Sequence, residues 1–250
     1  MYFCPFRGKA VISSPLALIR EVYVPQNCLN ALIKLEHKDI LQKTTVNFAN
    51  LLSKESGIAV NDFGVHGSIA LGMHTTRSDI DIVVYGSSNF RRLEKTIKRL
   101  VEAGTLSYVF SNRLDAARRF KGRYMRKIFM FNAIRKPEEI RTKYGTFNYT
   151  PVATVKFRCT VKDDSEAMFR PAIYKIEDYE LSEPTSGFLK SRIPELVVSM
   201  IGCYRNIART GSRIQVSGML EKVEKVEKGE VFHQVVVGTG TSEEEYLWPL

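Results

Sequence analysis

The chain has 250 residues, of which 44% are hydrophobic, and its formal net charge at pH 7 is +10. This length and apolar content are enough to bury a core, so they predict a globular protein with one large or two modest domains. The positive charge favours a polyanionic partner, such as RNA or nucleotide phosphates, and argues against a cationic one. A globular protein that is simply basic is the alternative.

Four cysteines (Cys4, Cys28, Cys159 and Cys203) lie far apart, without any Cys-x-x-Cys pair. This spacing argues against a disulfide framework and against a zinc knuckle, and it predicts a reducing, cytoplasmic environment. The first residues lack a charged start followed by an apolar stretch, and no later run approaches the roughly 20 apolar residues of a membrane span. We therefore expect neither secretion nor a membrane partner.

The N-terminal part of the chain is predicted to begin with strands and continue with a helix. Residues 1–24 are expected to form a β-rich lead-in, with strands at residues 9–12 and 18–24. From Pro25 the pattern becomes helical, and Gly57 stands where a helix would end. The apolar positions of this helix recur at helical spacing at Leu41, Thr45, Phe48 and Leu52.

A strand at residues 63–66, a turn at Gly67-Ser68 and a second strand at residues 80–85 are predicted next. The second strand is almost wholly apolar, so both of its faces should be covered. A helix at residues 91–103 that ends at Gly104 and an alternating strand at residues 123–135 follow. Together these elements predict a mixed sheet with packed helices over residues 25–149.

A basic cluster precedes and enters the strand at residues 123–135. Its members are Arg113, Arg118, Arg119, Lys121, Arg123, Arg126 and Lys127, and Asp115 is the one acidic residue among them. Such a cluster is often only a solvated face, but beside a phosphate site it would also hold an anionic substrate. Both interpretations stay open.

Residues 150–250 predict a small all-β domain. Residues 152–161 and 167–176 read as a hairpin around a turn at residues 162–165, and residues 213–223 pair with residues 231–238. Gly218 lies inside a strand, which suggests a bend at a barrel corner. The sequence therefore predicts an α+β protein whose second domain is a barrel of the OB type.

Two carboxylates stand on the apolar strand at residues 80–85 or directly before it. Asp79 and Asp81 are two residues apart, so their side chains point to the same face, with Cα atoms about 7 Å apart. Two such anions repel each other unless a cation binds between them, and oxygen ligands of this kind suit Mg²⁺ together with substrate phosphates. A strand with two solvated aspartates is the structural alternative.

Gly67-Ser68 supplies groups that are complementary to a metal-bound phosphate. Glycine at a tight turn lets the backbone approach a ligand, and the serine hydroxyl and nearby N–H groups can hold phosphate oxygens. Neither motif is specific alone. Their order in the chain, with apolar residues around each aspartate, makes the combination informative.

The pattern Val65-His66-Gly67-Ser68, ten residues, then Asp79-Ile80-Asp81-Ile82 resembles the signature of the DNA polymerase β-like nucleotidyltransferase superfamily. Residues 62–86, the helix after them and residues 160–169 are also similar to uncharacterised archaeal proteins that are predicted nucleotidyltransferases with an appended β domain. The resemblance implies that Asp79 and Asp81 hold Mg²⁺ or Mn²⁺ and that Gly67 and Ser68 hold the triphosphate. A hydroxyl of an unknown acceptor would then take a nucleoside monophosphate from an NTP, with release of pyrophosphate.

Two positions depart from the superfamily pattern. His66 stands where a small residue is common, and we expect it to be structural or next to the phosphates. The third carboxylate of active members has no clear equivalent, because the matching strand offers Asn132. Asp163, Asp164 and Glu166 would substitute only if the second domain folded over the site. A nucleotide- or RNA-binding protein with weak or no activity is therefore the alternative function.

Overall fold

The structure, a computed structural model, describes residues 1–182, 192–240 and 244–250. The helices are α1 (Pro25–Lys34), α2 (Ile40–Ser56), α3 (Gly67–Ala70), α4 (Ser87–Glu102) and α5 (Arg113–Arg118). The strands are β1 (Tyr2–Cys4), β2 (Lys9–Val11), β3 (Phe63–Val65), β4 (Ile80–Tyr85), β5 (Leu106–Tyr108), β6 (Lys121–Tyr124), β7 (Lys127–Ile134), β8 (Phe147–Glu166), β9 (Ala172–Leu181), β10 (Leu196–Ser199), β11 (Arg213–Lys225), β12 (Val231–Val237) and β13 (Tyr246–Pro249). Within these ranges, every helix is too short or too polar to cross a bilayer.

The chain divides into two compact units. The central unit is Glu21–Glu139, and the terminal unit joins Met1–Arg20 to Ile140–Leu250. This division differs from the boundaries expected at residues 24 and 149, because the β1–β2 hairpin packs on the start of β8. Tyr149 N donates to Phe6 O at 2.8 Å and thereby ties the two segments together.

The central unit is built on a five-stranded sheet with the order β3-β4-β7-β6-β5. Only the β4–β7 pair is parallel, and the other pairs are antiparallel. Helices α2 and α4 cover one face: Phe48 of α2 packs on Phe129, and Phe90 of α4 packs on Phe131, with ring centroids 4.6 and 5.7 Å apart. The predicted mixed sheet with packed helices is therefore confirmed.

Local sequence explains where the two long helices begin and end. Asp39 caps α2 in a reciprocal capping box with Gln42. Gly57 ends α2 with a φ of +65°, and this stop is the one that the sequence predicts. Helix α4 begins at Ser87, four residues before the predicted start, because Glu139 accepts bonds from the Ser87 N–H and hydroxyl at 2.8 and 2.7 Å. Burial opposes ionisation of Glu139, but these bonds outweigh it and the pKa of the carboxyl is lowered.

Two predicted strands of the first half are wrong. Residues 123–135 form a hairpin of β6 and β7 instead of one strand, and the chain reverses at Met125, whose φ is +53°. Residues 18–24 are not a strand, because a single 3₁₀ turn at Leu16–Leu18 is followed by chain without sheet pairing. Neither turn contains the glycine or asparagine that usually marks a chain reversal.

The terminal unit contains a six-stranded sheet, in which β8, β9, β10 and β12 each pair with two strands and β11 pairs with three. The pairings run β8–β9–β10–β12–β11 and return to β8, and β13 adds to β11. Gly218 lies where β11 and β12 approach closely, since a Cβ there would overlap Val236 O. The prediction of a region rich in β-sheet is confirmed, and its assignment to the OB type stays a prediction.

The hairpin turn predicted at residues 162–165 is wrong. Strand β8 continues through Glu166, and the register with β9 shifts at three places instead. The polar run is accommodated because Asp163 pairs across the sheet with Lys175 at 2.9 Å and accepts a bond from Ser165 N at 2.8 Å. The reversal follows at residues 167–171.

Candidate functional site

Asp81 lies on the face of β4 opposite to the one that helices α2 and α4 cover. Ile80, Ile82 and Val84 are fully buried on the helix side of the strand, whereas Asp81 is half-buried on the opposite side. Asp79 directly precedes β4 and is also half-buried. The strand therefore positions both carboxylates beside each other on a face with access to solvent, about 7 Å apart at their Cα atoms.

The turn at Gly67 lies against the Asp81 carboxylate. His66 N donates to Asp81 O at 3.1 Å, which continues the β3–β4 pairing by one residue. Gly67 follows with a φ of +66°, and a Cβ built on it would overlap Asp81 Oδ2. Only glycine fits this position without a shift, so the turn and the aspartate strand form one site. Gly67 and Ser68, which the sequence predicts as a turn, begin the short helix α3 instead.

Asn132 borders the same site from β7. Parallel pairing sets Asp81 beside Met130 and Val83 beside Asn132, so Asn132 shares the sheet face with Asp81. Its side chain is buried, and Asn132 Nδ2 lies 3.3 Å from His66 Nε2. Asn132 Oδ1 has no hydrogen-bond partner among the described residues. A buried carbonyl oxygen without a donor is uncommon, and its lone pairs can accept a hydrogen bond or ligate a cation.

The environment raises the pKa of Asp81. Burial makes the largest contribution, the His66 side chain opposes it, and the charge of Asp79 adds to it. Because burial and the charge of Asp79 both disfavour ionised Asp81, binding of a cation would stabilise the carboxylate.

The candidates for a third carboxylate belong to the terminal unit and have partners there. Asp163 pairs with Lys175, and Asp164 accepts bonds from Arg209 Nη1 at 3.3 Å and Thr210 Oγ1 at 3.0 Å. Burial would raise the pKa of Asp163, but the bonds from Lys175 and Ser165 outweigh it and lower the pKa to about 2. In the ranges that the structure describes, no three His, Cys, Asp or Glu side chains are grouped as a metal site would need.

Part of the basic cluster shares the sheet face with Asp81. Lys121 pairs with Met130, which pairs with Asp81, so the three side chains form one row across the sheet. Arg118 instead makes a buried ion pair with Asp115 at 2.7 Å. The cluster is thus divided between a structural ion pair and cations on the open face.

Sequence reasoning missed the contacts that hold the loop between Ser68 and Asp79. His74 Nε2 lies 2.7 Å from Asp39 Oδ2, and the bond that Asp39 accepts from the Gln42 N–H, together with His74, lowers the pKa of that carboxyl. Lys127 Nζ donates to Thr76 O. A single histidine in a ten-residue loop carries no periodicity, so these long-range partners could not be read from spacing.

The central unit is similar to a known family. Residues 47–136 match the family described as "Nucleotidyltransferase domain", which confirms the resemblance of the central unit to nucleotidyltransferases. The chain is also 29% identical over 211 residues to an uncharacterized protein of Methanocaldococcus jannaschii, MJ1086, and the match covers 76% of this chain and 58% of that relative. No solved structure matches the chain significantly.

The residues present fit the divalent ion that the family implies. Mg²⁺ commonly takes one or two carboxylates and leaves its other positions to water and substrate phosphates. Asp79 and Asp81 would supply the carboxylates, the Asp81 carboxylate packs against Gly67, and Asn132 Oδ1 has no hydrogen-bond partner among the described residues. The donor set consists of oxygens, as a hard cation requires.

Proposed function

We propose that this protein is a metal-dependent nucleotidyltransferase that transfers a nucleoside monophosphate from an NTP to a hydroxyl of an acceptor. The observation that carries the proposal is the contact of Gly67 with the Asp81 carboxylate. This contact joins the two motifs that the sequence separates by ten residues. It creates one open site with a turn for phosphates on one side and carboxylates for a cation on the other.

In this proposal Asp79 and Asp81 hold Mg²⁺ or Mn²⁺. When bound, the ion would polarise the α-phosphate and orient the in-line displacement. Gly67 lets the triphosphate approach the turn, and the Ser68 hydroxyl donates to a phosphate oxygen. His66 borders the phosphates while its ring is held by Asn132. Most of the rate would come from positioning and charge neutralisation, as in phosphoryl transfer generally.

The reaction replaces one phosphorus–oxygen bond with another. The acceptor oxygen forms a bond to the α-phosphorus, and the bond from this phosphorus to the bridging α–β oxygen breaks. Pyrophosphate leaves with the bonding electrons, and the hydroxyl proton passes to solvent. Lys121, which shares the open face with Asp81, is placed to attract an anionic acceptor such as RNA.

A second candidate is a nucleotide- or RNA-binding protein with little or no transferase activity. The observation that favours it is Asn132, a neutral amide on the strand where active members of the superfamily carry a third carboxylate. An amide can ligate a cation but cannot act as a base or a charged bridge. The second candidate predicts NTP binding without transfer.

The experiment is transfer from α-³²P-labelled NTPs with Mg²⁺ or Mn²⁺. Total RNA, the protein itself and small polyols serve as acceptor pools. Wild-type protein should label one pool, and the double variant Asp79→Asn, Asp81→Asn should not. Glu102→Gln, an exposed carboxylate on α4, is the matched control and should label normally. Equal labelling by the double variant would contradict the transferase, and metal-dependent NTP binding without labelling would favour the second candidate.

A further inference from the structure

The terminal unit contains an aromatic pocket. Its residues lie far in sequence from the Gly67-Ser68 motif and from Asp79 and Asp81. This cavity of about 230 Å³ lies between the β1–β2 connection and the segment that leads into β8. Phe6 and Tyr144 meet edge to face with ring centroids 5.1 Å apart. Tyr149 forms a further wall, and the Arg7 guanidinium carbon lies 4.6 Å from the centre of its ring. We call this site the Tyr144 pocket.

The Tyr144 pocket is positively charged. Arg7 and Lys143 are both among its lining residues, and none of the described residues that line it carries a carboxylate. Lys143 is exposed, and Arg7 presents its guanidinium beside an aromatic face. A pocket that combines aromatic walls with cations is suited to a ligand that has both a flat ring and a negative charge.

Tyr144 is held in place while its ring stays accessible. Its hydroxyl lies 3.5 Å from Cys4 Sγ and 3.3 Å from Tyr2 OH, and these bonds raise the pKa of Tyr144, so the phenol is neutral. Nevertheless 70% of Tyr144 is exposed to solvent. An aromatic side chain fixed at its edge, with this much surface open, offers a stacking face at little cost in side-chain entropy.

We propose that the Tyr144 pocket binds one nucleotide of a single-stranded nucleic acid. The base would stack on Tyr144, and the adjoining phosphate would contact Arg7 and Lys143. The volume is below the range of about 300–1,000 Å³ for sites that enclose drug-sized ligands, so a single base fits better than a whole triphosphate. The open rim would let the strand enter and leave, and a chain of net charge +10 attracts polyanions.

This proposal goes beyond the transferase and does not depend on it. The pocket lies within the terminal unit, whereas Gly67, Asp79 and Asp81 lie in the central unit. Its walls come from segments about 140 residues apart in the sequence, so no local pattern marks it. Binding can therefore be measured in EDTA without any NTP, where no transfer takes place.

The test is fluorescence anisotropy with fluorescein-labelled decauridylate and the matching deoxyribo-oligonucleotide. Tyr144→Ala should weaken binding by about tenfold, within the range for loss of one base–aromatic stack, whereas Tyr144→Phe should retain affinity. Arg7→Gln should weaken binding. It should also reduce the slope of log affinity against log salt concentration by about the amount expected for one phosphate contact. Phe3→Ala and Lys228→Gln change exposed residues of the same unit outside the pocket and are the matched controls.

The outcomes separate this proposal from the others. Asp79→Asn, Asp81→Asn should bind the oligonucleotide as tightly as wild type, so a failed transferase assay leaves the prediction intact. Equal affinity of Tyr144→Ala and wild type would overturn the proposal. Competition by UMP at the same nucleotide concentration as the oligonucleotide would also overturn it, because the ligand would then be a free nucleotide. Thermal unfolding of each variant confirms that a loss of binding is not a loss of fold.

Discussion

Two glycines with similar backbone angles show how specific the Gly67 contact is. Gly67 has a φ of +66° and Gly72 a φ of +64°, so both occupy the left-handed region that favours glycine. A Cβ on Gly67 would overlap the Asp81 carboxylate, whereas a Cβ on Gly72 would meet no atom within 4 Å. The backbone cost of a substitution is thus shared by both positions, and the steric cost belongs to Gly67 alone.

Replacement of these glycines by alanine should give unequal losses of stability. Gly72→Ala should lower the free energy of unfolding by about 1 kcal/mol, the cost of a left-handed alanine. Gly67→Ala should lower it by about 1–3 kcal/mol more, because the Asp81 carboxylate or the turn must move. Urea unfolding of the two variants measures the difference. Equal losses would show that the turn does not press on the carboxylate.

Asn132 allows the missing third carboxylate to be tested directly. Asn132→Asp places an anion on the same sheet face as Asp81, one strand away. In EDTA the variant should be less stable than wild type, because the anions repel each other without a cation. With Mn²⁺ the variant should become more stable than wild type. It should also bind Mn²⁺ about tenfold more tightly than wild type does, a typical effect of one group in the shell around a metal ion. Thermal unfolding and calorimetry with Mn²⁺ alone provide the readouts, and unchanged Mn²⁺ affinity would place Asn132 outside the metal site.

At the scale of elements, the sequence pattern predicted some helices and strands well and others poorly. Strand β4 and the end of α2 at Gly57 follow from an apolar run and a helix-stopping glycine, and both occur as predicted. The β6–β7 hairpin could not be predicted, because its turn at Met125 lacks the usual turn residues. The β8–β9 turn was misplaced, since the polar residues near Asp163 make cross-strand partners instead of a loop. Local patterns fail where a distant strand supplies the partner.

The Asp163–Lys175 pair should stabilise the long β8–β9 ladder in a pH-dependent manner. The folded-state pKa of Asp163 is lowered from its ordinary 3.8 to about 2, so its contribution is present above pH 3.8 and is lost as pH falls toward 2. Asp163→Asn should lower the free energy of unfolding at neutral pH by about 1 kcal/mol, after allowance for the exposed Lys175.

Unfolding by urea across this pH range is the measurement for Asp163→Asn. Glu177→Gln is the matched control, since its carboxylate lies 3.8 Å from Lys162 Nζ and both side chains are exposed. The control should change stability by only a few tenths of a kcal/mol. A difference between Asp163→Asn and wild type that persists undiminished at pH 2 would contradict the assigned pKa.

At the scale of the whole molecule, the division into units was the least predictable feature. The β1–β2 hairpin belongs with residues 140–250, and only contacts such as Tyr149 N to Phe6 O reveal it. Pairing over such a sequence distance leaves no local pattern. Gly67, Asp81 and Asn132 all lie in the central unit, and their role as one site stays a prediction, whereas Asp163 and Asp164 have partners within the terminal unit.

The central claim is that the Gly67 turn and the Asp79–Asp81 pair form one metal–triphosphate site. The most direct measurement is calorimetric binding of non-hydrolysable NTP analogues in Mn²⁺ and in EDTA. We predict binding only in Mn²⁺, a loss of about tenfold or more in Gly67→Ala and in Asp79→Asn, Asp81→Asn, and near wild-type affinity in Gly72→Ala. Equal affinity in Mn²⁺ and EDTA, or in the double variant and wild type, would contradict the claim.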